Sequence, residues 1–168
     1  MDKTFNLIKP TTMTTLLLIS FVLFAAYISA ATLKLGEMPE RFVKYSDVWM
    51  WPWRIAWFVA MWGAIGLAAP AVIDGATDKT KFLAFIALAA ATMYVMVAKL
   101  NTDADKTMTD VAGWMFIGIS QALVALNHWW LLFAWVPAIA AIFIWRLPWW
   151  RTLISLTSII ALYLYALI

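Results

Sequence analysis

Residues 12–33 read TMTTLLLISFVLFAAYISAATL, and no Asp, Glu, Lys or Arg interrupts them. A helix needs about 20 apolar residues to cross the hydrocarbon core of a bilayer, so this stretch is long enough to span it. Lys3 and Lys9 precede the stretch and small residues 29–31 lie near its end, a pattern that also imitates a signal peptide. Because the apolar run continues to Leu33, we expect a retained first transmembrane helix.

The rest of the chain repeats this pattern. Five further apolar segments follow, at about 50–73, 81–98, 111–127, 129–145 and 149–168. The hydrophobic fraction is 65% and the mean hydropathy is +0.87, well above the apolar content of about 45–50% in soluble domains. Charged residues lie only in the tail, in the connections or at segment ends, where water is available. The sequence therefore predicts an all-α integral membrane protein, a single-domain polytopic bundle of about six transmembrane helices.

The stretch 111–145 decides the number of spans. Its 35 residues would form a single helix about 52 Å long, whereas the hydrocarbon core is about 30 Å thick. The helix must therefore break, and Asn127-His128 is the polar point at which we expect the break. The alternative is a bundle of five spans, one of them broken or strongly tilted.

Small residues recur at helical spacing in two of the segments. Those of the second segment are Ala56, Ala60, Gly63, Ala64 and Ala68, and those of the fourth are Gly118 and Ala122. Helices in lipid associate through the close approach of small residues, so we predict that these positions are helix-packing faces. The expected partners of the chain are the lipid bilayer and other membrane subunits or further copies of the chain itself.

Twelve tryptophans are an unusual number for a chain of this length. Most of them, Trp57 included, lie towards segment ends, which is typical of the aromatic belt at a membrane interface. Trp62, Trp114 and Trp135 fit a belt less well, and Gln121 is the most deeply placed amide. We predict that these four residues bind a ligand, such as a flat, cationic or neutral solute. For Gln121 the alternative is a hydrogen bond between helices.

His128 is the only histidine, and it lies at the predicted break. Imidazole is a common metal ligand, so His128 is the candidate residue for holding a metal, a haem or a pigment. A haem with two axial histidines cannot be completed within the chain, because no second histidine exists. The alternative is a polar residue in an interfacial turn. The cofactors are unknown, and the sequence requires none.

Several functional classes are disfavoured by what the sequence lacks. It has no charged residue in the middle of a span, no HExxH motif and no Gly-rich phosphate loop. It has no Cys, so thiolate metal sites are excluded. The net charge of +3 is spread thinly, without the cluster of Lys and Arg that nucleic acid needs. We therefore expect neither catalysis by side chains of this chain alone nor nucleic-acid binding.

Three functions remain. The sequence favours a non-catalytic subunit of a larger membrane protein complex, because the chain combines small-residue faces with almost no extramembrane mass. The first alternative is a small membrane carrier, channel or binding protein for a neutral or aromatic solute. The second is a haem- or pigment-holding subunit that uses His128. All three place the protein in a bacterial or archaeal cell membrane or in an organelle inner membrane.

Overall fold

The computed structural model describes residues 5–48, 54–98 and 103–168, with side chains for 11–48, 55–98 and 107–168. Within these ranges the chain forms helices and short connections, and it contains no strand. The α-helices are α1 (Phe5–Leu35), α2 (Arg54–Asp74), α3 (Lys81–Val97), α4 (Asp103–His128), α5 (Trp135–Trp145) and α6 (Trp150–Leu167). Two 3₁₀ helices, Phe42–Ser46 and Trp129–Ala134, lie between α1 and α2 and between α4 and α5. The first residues of the predicted second span, 50–53, lie outside the described ranges.

The helices have the length and composition of membrane spans. Four segments of the described chain are long and apolar enough to cross a membrane, namely Thr11–Leu35, Ile55–Asp74, Thr107–Trp145 and Trp150–Leu167. Helix α3 is apolar as well but has only 17 residues. The predicted helical class is confirmed, and these segments indicate a membrane protein.

The helical stretch 107–145 is not a single rod. His128, at the end of α4, has φ −143° and ψ 67°, which is not a helical conformation. The indole Nε1 of Trp135 donates a hydrogen bond of 2.8 Å to Oε1 of Gln121. In a continuous helix these residues, fourteen positions apart, would be separated by about 21 Å along the axis. The chain therefore folds back at His128, at the point where the sequence predicted a break.

Small residues allow α1 and α2 to pack closely. Ser20 Oγ on α1 donates a hydrogen bond of 2.6 Å to the backbone oxygen of Ala64 on α2. A Cβ atom built on Gly63 would lie 3.1 Å from Leu23 Cδ2, so a larger residue there would press against α1. The two helices thus meet along the predicted small-residue face of α2. Helix α3 packs in the same close manner on α4.

The connection between α1 and α2 is fixed to the bundle by buried hydrogen bonds. Tyr27 Oη donates a bond of 2.7 Å to the backbone oxygen of Tyr45, and Thr152 Oγ1 on α6 donates one of 2.6 Å to the backbone oxygen of Pro39. Burial raises the pKa of Tyr45, so its hydroxyl remains protonated at neutral pH. These bonds hold Arg41 beside α4 and the start of α6.

Candidate functional site

A cavity of about 100 Å³ lies where α1, α2, α3, α4 and α6 meet. Its lining is almost wholly apolar, and every one of these helices contributes to it through residues such as Leu17, Met61, Ala91, Phe116 and Leu162. In close-packed proteins an empty apolar space of this volume costs about 2 kcal/mol. The cavity is therefore a feature that packing alone disfavours.

Small residues on three helices leave this space open. Ala64 and Ala68 on α2 and Ala91 on α3 line the cavity, and any larger apolar side chain at these positions would extend into it. Gly113 on α4 also lines it, and a Cβ atom there would lie 3.1 Å from Cε2 of Tyr94. The missing side chain of Gly113 lets the Tyr94 ring approach α4 closely. The cavity is thus shaped by the same small residues that allow helices to pack.

A second space of about 50 Å³ adjoins the cavity and is called the mouth below. The residues that line only the mouth are Arg41, Val43, Thr109, Asp110, Trp114 and Arg151. Five residues line both spaces: Phe42, Tyr94, Gly113, Ile117 and Ser155. The two spaces are therefore neighbours, with these shared residues between them. The side chains of Arg41 and Asp110 are 41% and 50% exposed, so the mouth reaches the protein surface.

The mouth carries an unbalanced set of charges. Arg41 Nη1 lies 3.7 Å from Asp110 Oδ2, beyond the range of a good hydrogen bond. The Nε atom of Arg151 is buried and has no hydrogen-bond partner in the part of the chain that the structure describes. Its guanidinium carbon lies 5.1 Å from the ring centre of Trp150. Among the described residues, two arginines against one aspartate give the mouth a formal charge of +1.

Gln121 and Trp135 are brought together, as neighbours across the α4–α5 fold. The amide oxygen of Gln121 accepts from the Trp135 indole, and its Nε2 lies 3.2 Å from both Ser120 Oγ and the backbone oxygen of Ser158. The amide therefore joins α4, α5 and α6. These contacts correspond to the helix-to-helix hydrogen bond that the sequence left as the alternative for Gln121. Its predicted ligand contact remains a prediction.

The other two predicted ligand-binding tryptophans lie on the outside of the bundle. Trp62 on α2 is 46% exposed and Trp114 on α4 is 53% exposed. Trp114 lines the mouth, whereas Trp62 lines neither the mouth nor the cavity. Trp62, Trp114 and Trp135 thus do not line one common pocket. Ligand binding by these tryptophans remains a prediction.

His128 lies at the opposite end of α4 from the mouth. Its ring centre is 6.5 Å from that of Trp130 and 5.9 Å from that of Tyr165. Among the described residues no three His, Cys, Asp or Glu side chains cluster in a way that would hold a metal ion. Haem or pigment binding by His128 remains a prediction, which the visible absorbance of the purified protein and of the His128→Ala variant would test.

The predicted packing residues divide into an inner and an outer set. Ala64 and Ala68 are buried in the bundle, and Ala56 and Ala60 pack against its buried core. Gly118 and Ala122 on α4 are exposed, and a Cβ atom on Gly118 would have no neighbour within 4 Å. Gly118 and Ala122 therefore face away from the rest of the described chain.

The charged residues of the mouth were not predicted as a site. Arg41 lies in the first connection, Asp110 is the eighth residue of α4, and Arg151 is the second residue of α6, so the three are far apart in the sequence. Each reads by itself as an ordinary interfacial charge at the edge of a span. The sequence carries no signal that links them, because only the fold brings the start of α4 and the start of α6 beside the first connection.

No family model, curated protein or solved structure matches this chain. We therefore infer function from the cavity, the mouth and the exposed faces of the helices.

Proposed function

We propose that this chain is a membrane-embedded binding protein that takes the apolar part of a small molecule into its central cavity. The observation that carries this proposal is the 100 Å³ apolar space at the junction of five helices. Apolar cavities in proteins stay dry and accept apolar guests, and one of about 150 Å³ is large enough for benzene. The smaller volume here favours a slim alkyl chain over an aromatic ring. A bound chain would offset the cost of the void.

We propose further that the chain crosses the membrane six times. The fold-back at His128 supports this count, because the chain returns beside α4 as far as Trp135, the first residue of α5. Together α5 and the preceding 3₁₀ helix rise about 28 Å, from six residues at about 2.0 Å and eleven at about 1.5 Å. That length is close to the roughly 30 Å of a hydrocarbon core. The mouth would then lie near one membrane interface, where charged side chains meet water.

Filling the cavity is expected to abolish binding of an apolar chain. In Ala91→Leu the added carbon atoms extend into the cavity from α3, whereas in Ala89→Leu the same atoms extend away from the bundle, because Ala89 is exposed. The probe is a hexadecanol analogue that carries a photoactivatable diazirine in mid-chain, supplied to the protein in nanodiscs of phosphatidylcholine. Peptide mass spectrometry of the cross-linked protein locates the label. We expect Ala91→Leu to reduce labelling of cavity residues by about tenfold, equivalent to about 1.4 kcal/mol.

Ala89→Leu is the matched control and should label like the unaltered protein. Labelling confined to lipid-facing residues, or labelling of the cavity that Ala91→Leu leaves unchanged, would contradict the binding function. Thermal unfolding of both variants, followed by circular dichroism, shows whether a loss of labelling comes from a loss of fold.

A second candidate function is the one that the sequence favoured, a non-catalytic subunit of a larger membrane complex. The observation that favours it is the exposed small-residue face of α4, formed by Gly118 and Ala122. Exposed small residues offer a neighbouring transmembrane helix the close approach that drives association in lipid. Helix α5 adds a broad apolar surface beside the bundle, since Phe143 and Ile144 are 75% and 70% exposed. The partner is either another subunit or a second copy of this chain.

If α4 docks against a partner, Gly118→Leu should dissociate the particle without unfolding the chain. The added side chain has open space in the isolated chain but would separate α4 from a partner helix. The measurement is the mass of the particle in a mild detergent, with identification of every component. Ala89→Leu, on the exposed side of α3, is the control. A particle of the 19.0 kDa chain mass in the unaltered protein would exclude the subunit function.

A further inference from the structure

We propose that the mouth binds the anionic head group, a carboxylate or a phosphate, of a single-chain amphiphile whose alkyl chain occupies the cavity. This inference rests on the binding function proposed above and names the chemical class of the ligand. It draws on three independent features of the described residues: the charge of the mouth, its position at a helix start, and the volume of the cavity behind it.

A bound anion would neutralise the positive charge that the described residues give the mouth. The guanidinium of Arg151 has a buried Nε without a partner in the described part of the chain, and a buried donor without an acceptor is unfavourable. Arg41 Nη1 is 3.7 Å from Asp110 Oδ2, so it does not form a close bidentate pair with that carboxylate. Guanidinium groups present several N–H donors in a plane that matches the oxygens of carboxylate and phosphate. An oxyanion in the mouth would therefore find guanidinium donors from both Arg41 and Arg151, which line this space.

The position of the mouth on the fold adds to this preference. Arg151 is the second residue of α6, and no side chain caps the start of that helix. The free backbone N–H groups at a helix start, together with the helix dipole, favour a negative charge. Ser155, one turn further along α6, lines both the mouth and the cavity. A head group at the start of α6 would therefore lie beside the space that would hold its alkyl chain.

The volume behind the mouth limits the ligand to one chain. A cavity of about 100 Å³ is smaller than the roughly 150 Å³ that accommodates benzene. Two acyl chains side by side would not enter it, whereas the first few carbon atoms of a single chain would. The combination of an anionic head with one slim chain describes a free fatty acid or a lysophospholipid with a phosphate head.

The test compares two photoactivatable probes that differ only in the head group. One is a palmitate analogue with a diazirine in mid-chain, and the other is the hexadecanol analogue used above, both in nanodiscs of neutral phosphatidylcholine. We expect the palmitate analogue to label cavity residues more strongly. Arg151→Gln should reduce its labelling about tenfold, because a hydrogen bond to a charged group is lost, and should change labelling by the alcohol less than twofold.

Two further variants distinguish a specific effect of the mouth from a general loss of fold. Arg146→Gln removes an exposed arginine that lies outside the mouth, at the end of α5, and should leave both probes unaffected. Asp110→Asn removes the acid of the mouth and should raise labelling by the palmitate analogue, a gain that misfolding cannot produce. Unlabelled palmitate and lysophosphatidate, added as competitors, distinguish the carboxylate head from the phosphate head. Competition by either supports the proposal.

Either of two results would overturn the anionic head group alone. One is equal labelling by the two probes. The other is a preference for palmitate that Arg151→Gln leaves unchanged and that Asp110→Asn does not raise. The binding function would stand in that case, because the alcohol would still label the cavity. Absence of cavity labelling by both probes would overturn the binding function and this inference with it. Failure of both competitors to displace the palmitate analogue would likewise count against a specific head-group site.

Discussion

Replacing Trp57 by alanine is expected to lower the free energy of unfolding by about 3 kcal/mol, a larger loss than we expect from any substitution on the exposed surface or in the cavity. Trp57 is 1% exposed, although its place near the start of the second segment suggested an aromatic belt. Truncation of a buried aromatic residue costs about 3–5 kcal/mol in soluble proteins. The lower end applies here because, in lipid, apolar burial itself contributes little to helix association.

The contacts of the Trp57 side chain explain this loss of stability. The Trp57 ring packs edge-on against Tyr27 on α1, with ring centres 5.5 Å apart, and lies 6.2 Å from Phe42 in the first connection. Its Nε1 lies 3.4 Å from the backbone oxygen of Val95 on α3. The side chain therefore joins α1, α2 and α3 at the end of the bundle that carries the mouth. Its removal leaves a void among these elements and a carbonyl without that contact.

Trp62→Ala is the matched control, because Trp62 lies on the same helix but is 46% exposed. The measurement is unfolding by SDS in mixed micelles, followed by circular dichroism, for both variants and the unaltered protein. We expect a change below about 0.5 kcal/mol for the exposed position. Equal effects of the two substitutions would contradict the burial of Trp57 in the core.

The contrast between these tryptophans shows what could be predicted from sequence. Tryptophan suits both a membrane interface and a protein core, because its ring is large and apolar and its N–H is polar. Position near the end of an apolar segment favours the interface, but it does not reveal whether the residue faces lipid or another helix. Trp57 faces the bundle because Tyr27, Phe42 and α3 converge on it, which is a property of the tertiary structure.

The break at His128 was predictable for a different reason. A helix of the length 111–145 exceeds the thickness of a bilayer, and Asn127-His128 offers the polar point within it. The length and polarity of a segment can be read from the sequence, whereas the direction in which a helix face points cannot. Ala64 and Gly118 both belong to predicted small-residue faces, yet one is buried and the other exposed.

The mouth marks the limit of prediction from one sequence. Arg41, Asp110 and Arg151 become neighbours only through the packing of α4 and α6 against the first connection. A charge at the end of a span is ordinarily explained by contact with headgroups and water. The buried Nε of Arg151 departs from that explanation, and such a departure is visible only in three dimensions.

Ala84→Leu on α3 is expected to lower the free energy of unfolding by about 1–3 kcal/mol through overpacking. Ala84 is fully buried, in a cluster that includes Val72 on α2 and both Leu123 and Val124 on α4. The added carbon atoms have no free space there, so α3 and α4 must separate or the neighbouring side chains must leave their preferred rotamers. The SDS titration described above measures the effect.

Two further substitutions on α3 test whether the loss of stability depends on where the added side chain points and not on its size. Ala89→Leu adds the same atoms to the exposed face of α3 and should leave stability within about 0.5 kcal/mol of the unaltered protein. Ala91→Leu adds them to the cavity and should be tolerated better than Ala84→Leu, because it fills space that is empty. A loss in Ala91→Leu as large as that in Ala84→Leu would mean that the cavity has no room for an alkyl chain. The ligand-binding function would then lose its structural basis. Comparing the free energies of unfolding of Ala84→Leu, Ala89→Leu and Ala91→Leu therefore tests the cavity without a ligand.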